Sequence, residues 1–268
     1  MSHLLFRKLT SASPLCAAAL ALSLCAPTFA QAKPDCKGLP DAEQLRGVLQ
    51  SVVKEGAEKN GGMGNQEWAV VVNRDGIGCV VVFSGTTRSD EWPGSRVIAS
   101  SKANTANALS NNDYALSTAN IYAASQPGGS LYSLATSAPP NPKAVFGDPT
   151  SFGTPSDPMV GKAVGGVIVF AGGLPLYDAS GKIIGGLGLS GDTSCTDHII
   201  AWKVRHELHL DNVTMGPSPD HNDNIILDFK DGKSPSGFGH PACKGGVNST
   251  YILESLSKKF PTGPQRKQ

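Results

Sequence analysis

Charge is scarce in this sequence and it is balanced. Lys and Arg number 23 against 22 Asp and Glu in 268 residues, for a net charge of +1 and a charged fraction of 17%. With no basic patch to attract phosphate or anionic headgroups, nucleic acid and acidic membrane surfaces are excluded as principal partners. No C-x-x-C pair occurs, which argues against a zinc site. No P-loop, no internal repeat and, beyond the N-terminus, no apolar run of transmembrane length is found.

What is present begins with a leader. Arg7 and Lys8 precede an apolar run from Pro14 to Pro27, and Thr28-Phe29-Ala30 offers a small-x-small cleavage site. A second site is Ala30-Gln31-Ala32. Residues 1–30 read as a secretory signal peptide, with an apolar core too short to span a bilayer. A lipoprotein reading at Cys25 is weak, because Leu24 stands where a small residue is needed. The Ala/Leu style of the leader points to a bacterial periplasm, so the mature protein is expected to be periplasmic or secreted. Removing the leader leaves Cys36, Cys79, Cys195 and Cys243. An even number in an oxidising compartment reads as disulfides, and of the three possible pairings Cys36–Cys79 with Cys195–Cys243 is favoured.

Residues 41–59 carry Leu45, Val48, Leu49, Val52 and Val53 at helical spacing, closed by Asn60-Gly61-Gly62. The runs EWAVVVN (67–73) and CVVVFSG (79–85) flank Arg74-Asp75-Gly76 and read as a hairpin. An Ala-rich helix is expected over 95–110. Residues 111–160 are rich in Ser, Asn, Pro and Gly, with a short helix near 115–124. They read as a long surface loop, either functional or a tolerated insertion. Three strands are expected over 164–173, 174–178 and 182–190. A helix then runs to about Leu210, opened by a capping box of Ser194 and Asp197. Beyond Val213 the chain is polar, with one strand-like run at 224–229 and a helical patch near 251–259. Tight turns make neighbouring strands antiparallel. The fold class expected is α/β of the α+β type, one antiparallel sheet of five strands flanked by helices. The domain spans 31–213, with a loop-rich, disulfide-anchored extension over 214–268.

Gly186 to Gly191 fits G-x-G-x-x-G, the dinucleotide fingerprint, and Asp211 follows at a suitable distance. That motif needs a parallel βαβ unit, whereas here the preceding strand is joined to its neighbour by a turn. The glycines are better read as allowing close backbone approach. Gly188-Leu189-Ser190-Gly191 lacks a residue of G-x-S-x-G, and His206-Glu207-Leu208-His209 is one short of H-E-x-x-H. On the last helix His198, Trp202, Arg205, His206 and His209 share one side, opposite Ile200, Val204 and Leu208. Such a face serves hydrogen bonding or solvation more readily than ligation, although imidazoles are common haem-iron ligands.

Lys102-Ala103-Asn104-Thr105-Ala106 resembles the K-A-x-T-A helix of the GlcG/HbpS-like haem-binding (haem-degrading) family. Gly165-Gly166-Val167, Gly172-Gly173-Leu174-Pro175-Leu176 and the block Gly181 to Gly191 are similar to that family's second half, in order, and so are Asp197 and Ala201. The resemblance runs from about Leu45 to Leu210. It implies a profilin-like domain with a five-stranded antiparallel sheet, homo-oligomer formation, and haem or a related tetrapyrrole as ligand. The first helix holds no histidine, unlike relatives that ligate iron from that region, and the 111–160 insertion and C-terminal extension are further departures. His198, His206 and His209 are therefore the expected iron or metal contacts. Lys102, Thr105, Asp197, Gly188 and Gly191 complete the expected cofactor-binding set. The function expected is an exported, non-enzymatic haem-binding protein. One alternative is an enzyme for a small organic substrate, with Lys102, Thr105 and Asp197 lining a pocket at the sheet edge. Another is a scaffold subunit using the 111–160 loop.

Overall fold

A computed structural model describes residues 35–263, so the expected leader lies outside the described residues. The elements run α1 (Ala42–Val53), α2 (Ala57–Asn60), β1 (Trp68–Asn73), β2 (Gly78–Phe83) and α3 (Ser95–Ala108). Short helical turns follow, among them α4 (Leu134–Ser137) and α5 (Pro142–Val145), then β3 (Gly173–Tyr177), β4 (Ile183–Ser190), α6 (Ser194–Glu207) and α7 (Thr250–Lys259). Asp41 caps α1, its carboxylate accepting from the Gln44 N–H, and Gly56 at φ 74° separates α1 from α2. No described helix is long and apolar enough to cross a membrane.

The four strands form one antiparallel sheet in the order β2-β1-β4-β3. Every residue of β1 is buried, because the sheet is covered on both faces, and a doubly covered strand reads as a continuous apolar run. Ala69 and Val71 join Leu45, Leu49, Leu187, Leu189, Ile199 and Val204 on the α1/α6 side. Trp68, Val70 and Val72 face Ala99 and Ala103 of α3, with Val145 and Met159 of the long loop. Glycines alternate along β4 on the α3 side. A Cβ on Gly186 would stand 2.3 Å from the Ala103 carbonyl oxygen, and one on Gly188 2.0 Å from that of Ala99. The glycine block is therefore the seat of a helix backbone laid directly on a strand.

The sheet has four strands, one fewer than expected. Residues 164–171 do not pair as a strand. Gly165 and Gly166 take φ of 62° and 82°, which breaks the extended path. Two of the backbone groups here go to α3 side chains: Asn104 Nδ2 donates to the Gly166 carbonyl at 2.8 Å, and Thr105 Oγ1 accepts from the Ile168 N–H at 3.0 Å. The run 224–229 is likewise not a strand.

Two further expectations change. The cap of α6 is Thr193, accepting from the Thr196 N–H, in place of the Ser194–Asp197 box, and the helix stops at Glu207. The 111–160 segment is packed against the body, with Ala115, Ala119, Ile121, Ala144, Val145 and Met159 buried. The C-terminal extension enters the core as well, through Ile225, Leu253 and Leu256.

Candidate functional site

Where α3, β4 and the start of α6 meet, three ionisable side chains are sealed together. Lys102 Nζ donates to Asp197 Oδ2 at 2.5 Å and to the Leu189 carbonyl at 2.9 Å, and neither charged side chain is more than 2% exposed. Asp197 Oδ1 accepts from the N–H groups of Gly191 (3.3 Å) and Asp192 (3.0 Å). Glu67, immediately before β1, is fully buried against Asp197, and no hydrogen-bond donor reaches either of its oxygens. Burial first, and the Asp197 charge second, push the Glu67 carboxyl well above its usual range. Burial also raises Asp197, with Lys102 opposing. Asp197 has an ammonium and two backbone donors and Glu67 has none, so the proton of the pair resides on Glu67. Thr105, one turn along α3, donates to the Ser101 carbonyl at 2.7 Å. Lys102, Thr105 and Asp197 thus lie in one region of the interior, completely covered, and not along an open sheet edge. Their arrangement locks α3, β4 and α6 together. Glu67 was not singled out from sequence; its one signal is a carboxylate directly ahead of the apolar run Trp68 to Val72.

The expected polar face of α6 is a buried hydrogen-bonding face, and the C-terminal extension covers it. His198 is wholly buried, with Nε2 3.2 Å from Asn224 Oδ1. Burial is the main cause that lowers its pKa to about 3, so the ring is neutral. Arg205 forms a bidentate pair with Asp223 at 2.7 and 2.8 Å and donates to the Pro175 carbonyl at 3.0 Å. Trp202 Nε1 donates to the Phe260 carbonyl at 2.9 Å. His206 is half-buried, its Nδ1 2.6 Å from Asp211 Oδ2 and its ring edge-on to Phe260. His209 is exposed, in the left-handed region at φ 55°. The three histidines do not converge: among the described residues, the one close set of three potential metal donors is Cys195, Cys243 and His240.

Both expected disulfides are present, Cys36–Cys79 and Cys195–Cys243. The first ties the segment before α1 to β2, and the second ties the start of α6 to the loop before α7. Gly188 and Gly191 have no room for a ligand. The α3 backbone fills the space over Gly188, and the Gln66 carbonyl stands 2.0 Å from where a Gly191 Cβ would be.

Open space lies elsewhere. One cavity, about 440 Å³, is an apolar hollow by the Cys36–Cys79 bond, lined by Leu39, Val80, Val81 and Val160, with Asp41 as the charged residue among the described residues that line it. At the end of the β1–β2 hairpin two adjoining hollows of about 220 and 190 Å³ share Trp68, Arg88 and Phe152 as walls. Trp68 and Phe83 stack there at 4.8 Å. Arg46 of α1 reaches in, its Nη2 donating to the Gly153 carbonyl at 2.5 Å, while Arg88 is exposed. Glu91 holds the Trp68 indole N–H at 2.9 Å, and burial raises its pKa. The packed end of the 111–160 segment, at Phe152 and Gly153, supplies one wall of this aromatic, arginine-flanked shelf.

Comparison with solved structures finds five similar chains, three of them as follows. The ORFY protein of Klebsiella pneumoniae is 22% identical, with 62% of this chain and 87% of that one covered at a TM-score of 0.39. PduOC, solved as a haem complex, is 23% identical over 61% and 90% of the two chains at 0.40. HbpS is 20% identical over 61% and 85% at 0.37. None of the curated proteins matches this chain. The model of the family described as "Haem degrading protein HbpS-like" matches residues 41–205, which takes in every strand of the sheet and most of α6. With more than half of its length matched in this way, the chain belongs to the HbpS-like family.

Proposed function

We propose that this protein binds a planar, anionic tetrapyrrole, haem or a relative of it, on the shelf between α1, the β1–β2 hairpin and the 146–153 segment. Family membership supplies the ligand class. The observation that carries the location is the pairing of stacked aromatics with flanking arginines inside the family-matched span. Phe83 and Phe152, partly exposed, offer aromatic surface to a flat macrocycle, with buried Trp68 stacked behind Phe83. Arg46 and Arg88 offer fork-shaped donors to its carboxylates. Among the described residues no histidine, cysteine, methionine or tyrosine lines the shelf, so the residues fit the macrocycle and its carboxylates and supply no iron ligand. Bound haem would bring its own redox chemistry. The protein's part is to hold the ring and screen one face from water. The larger apolar cavity is less suited to an anion because the charged residue that lines it is a carboxylate.

Titration with hemin and, separately, with metal-free protoporphyrin should quench tryptophan fluorescence and shift the Soret band in both cases. The Arg46→Ala/Arg88→Ala variant should weaken both about tenfold or more, the loss of a charge-assisted contact of ~1.5 kcal/mol. Absence of binding by either porphyrin refutes the proposal. A second reading places iron on His206, favoured by the Asp211 carboxylate on Nδ1, since iron-bound imidazoles commonly donate their other N–H to such a group. In that case only hemin binds, and His206→Ala abolishes it. Export to the periplasm or beyond is part of the same proposal, supported by the two disulfides and the expected leader. So is self-association, which sedimentation of the purified protein tests.

A further inference from the structure

The Cys195–Cys243 bond sits among groups that a simple crosslink does not need. Cys195 is the second residue of α6 and is 1% exposed, whereas Cys243 is half-buried on a loop beside exposed Lys244. Cys243 Sγ faces the N-terminus of α6: the Cys195 N–H donates to it at 3.1 Å, and the Ser194 hydroxyl lies 3.3 Å away. Donors at a helix N-terminus stabilise a thiolate over a thiol. A ring nitrogen of His240 lies within 4.8 Å of both sulfurs. His240 is 2% exposed, and its Nδ1 is 2.7 Å from the Pro241 carbonyl. A carbonyl can only accept, so Nδ1 carries the proton and Nε2 keeps its lone pair. That Nε2 is buried and has no hydrogen-bond partner. A buried polar atom left without a partner is rare and calls for a reason. Metal-bound histidines are oriented by this same contact, the second ring N–H given to a backbone carbonyl. The Cys36–Cys79 bond belongs to no such donor set among the described residues.

From this juxtaposition we propose that Cys195, Cys243 and His240 form a redox-gated site for a thiophilic divalent cation of the zinc type, closed as the disulfide and opened by a dithiol reductant. In the opening step two electrons from the dithiol break the Sγ–Sγ bond. The reductant becomes a disulfide, and its two protons pass to Cys195 and Cys243. Cation binding then releases those two protons to solvent. Two thiolates and one imidazole make a Cys2His set with a fourth position left for water, the ligand count of an open site. Metal–sulfur bonds of ~2.3 Å at tetrahedral angles put the two sulfurs about 3.8 Å apart. The cysteine Cα atoms, 5.9 Å apart, suit that separation as well as they suit the disulfide.

The test uses the purified chain with Cys16 and Cys25 changed to serine, reduced with a dithiol, freed of it under argon and titrated with Co²⁺. One equivalent per chain should develop tetrahedral d–d bands with a near-ultraviolet thiolate charge-transfer band, both bleached by Zn²⁺. The oxidised protein should stay colourless. His240→Ala keeps the disulfide, so its folding is checked before reduction. After reduction it should bind Co²⁺ at least tenfold more weakly, with His240→Asn as the replacement if alanine fails to fold. Three results each overturn the proposal: a reduced protein that binds no Co²⁺, one that loses its far-ultraviolet circular dichroism on reduction, or bands of full strength in the folded His240 variant. The site is separate from the tetrapyrrole shelf, so either proposal can fail alone.

Discussion

Replacing Gly188 by alanine adds one methyl group where β4 meets α3 backbone to backbone. The new Cβ would stand 2.0 Å from the Ala99 carbonyl oxygen and 2.4 Å from the Ala103 nitrogen. Neither atom can swing aside as a side-chain tip can. Comfortable contact needs ~3.5 Å or more, so α3 must withdraw by over an ångström or β4 must leave its register with β1 and β3. Overpacking costs ~1–3 kcal/mol, and a clash with two main-chain atoms places this substitution near the upper end, about 3 kcal/mol. For a chain of this size each kcal/mol moves Tm by ~2–4 °C, which gives a fall of about 6–12 °C. Gly47 provides the control. It lies in α1 with nothing within 4 Å of where its methyl group would stand, and it is solvent-exposed. Alanine there should stabilise by ~0.5–1 kcal/mol, because it loses less backbone freedom than glycine on entering a helix. Thermal and urea unfolding of both variants, followed by circular dichroism, measures the contrast. A Gly188→Ala protein melting within ~2 °C of the wild type, or two variants shifting the same way, would refute the close-packing argument.

Two pH experiments probe the buried titratable groups. Glu67 has a folded pKa raised above its usual 4.5, so its contribution is fully present below that value and is lost as pH rises toward the folded pKa. Glu67→Gln stays neutral at every pH, and its stability relative to the wild type should grow between ~pH 5 and ~pH 8 in urea titrations; a constant difference counts against a proton held on Glu67. His198 is the opposite case. Its pKa falls from 6.5 to about 3, so the stability of the neutral ring is present above 6.5 and is lost as pH falls through that window. His198→Gln cannot take up the proton, and it should flatten the decline of the unfolding midpoint between ~pH 6.5 and ~pH 4.5, above the carboxylate range. Equal slopes in variant and wild type would show that His198 is not the buried neutral ring described.

Much of the frame is legible from local pattern. The valine runs on either side of Arg74-Asp75-Gly76 specify β1 and β2, and the 3.6-residue spacing of Leu45, Leu49 and Val52 specifies α1. The even cysteine count left after the expected leader led to both disulfides. These signals work because turn chemistry and apolar periodicity act over a few residues. The expected fifth strand failed because periodicity reports the backbone's preference and not its partner. Residues 164–171 are apolar enough for a strand, but Asn104 and Thr105 of α3 take the Gly166 carbonyl and the Ile168 N–H, and loop backbone takes Val164 and the Gly166 N–H.

The candidate site divides along the same line. The sequence by itself determined which residues share a face of α6 and that the glycines of β4 allow close backbone approach. Only the tertiary structure decided what covers that face and what lies on those glycines. Asp223, Asn224 and Phe260 return from the C-terminal extension to seal His198, Trp202 and Arg205, and α3 lies over Gly186 and Gly188. Whether a histidine is a free ligand or a neutral core residue, and which of two carboxyls keeps the proton, depends on burial and on partners distant in the chain. The shelf of Arg46, Trp68, Arg88 and Phe152 and the set of Cys195, Cys243 and His240 exist only because folding brings separate segments together. Helical and strand periodicity carries no information about such long-range encounters.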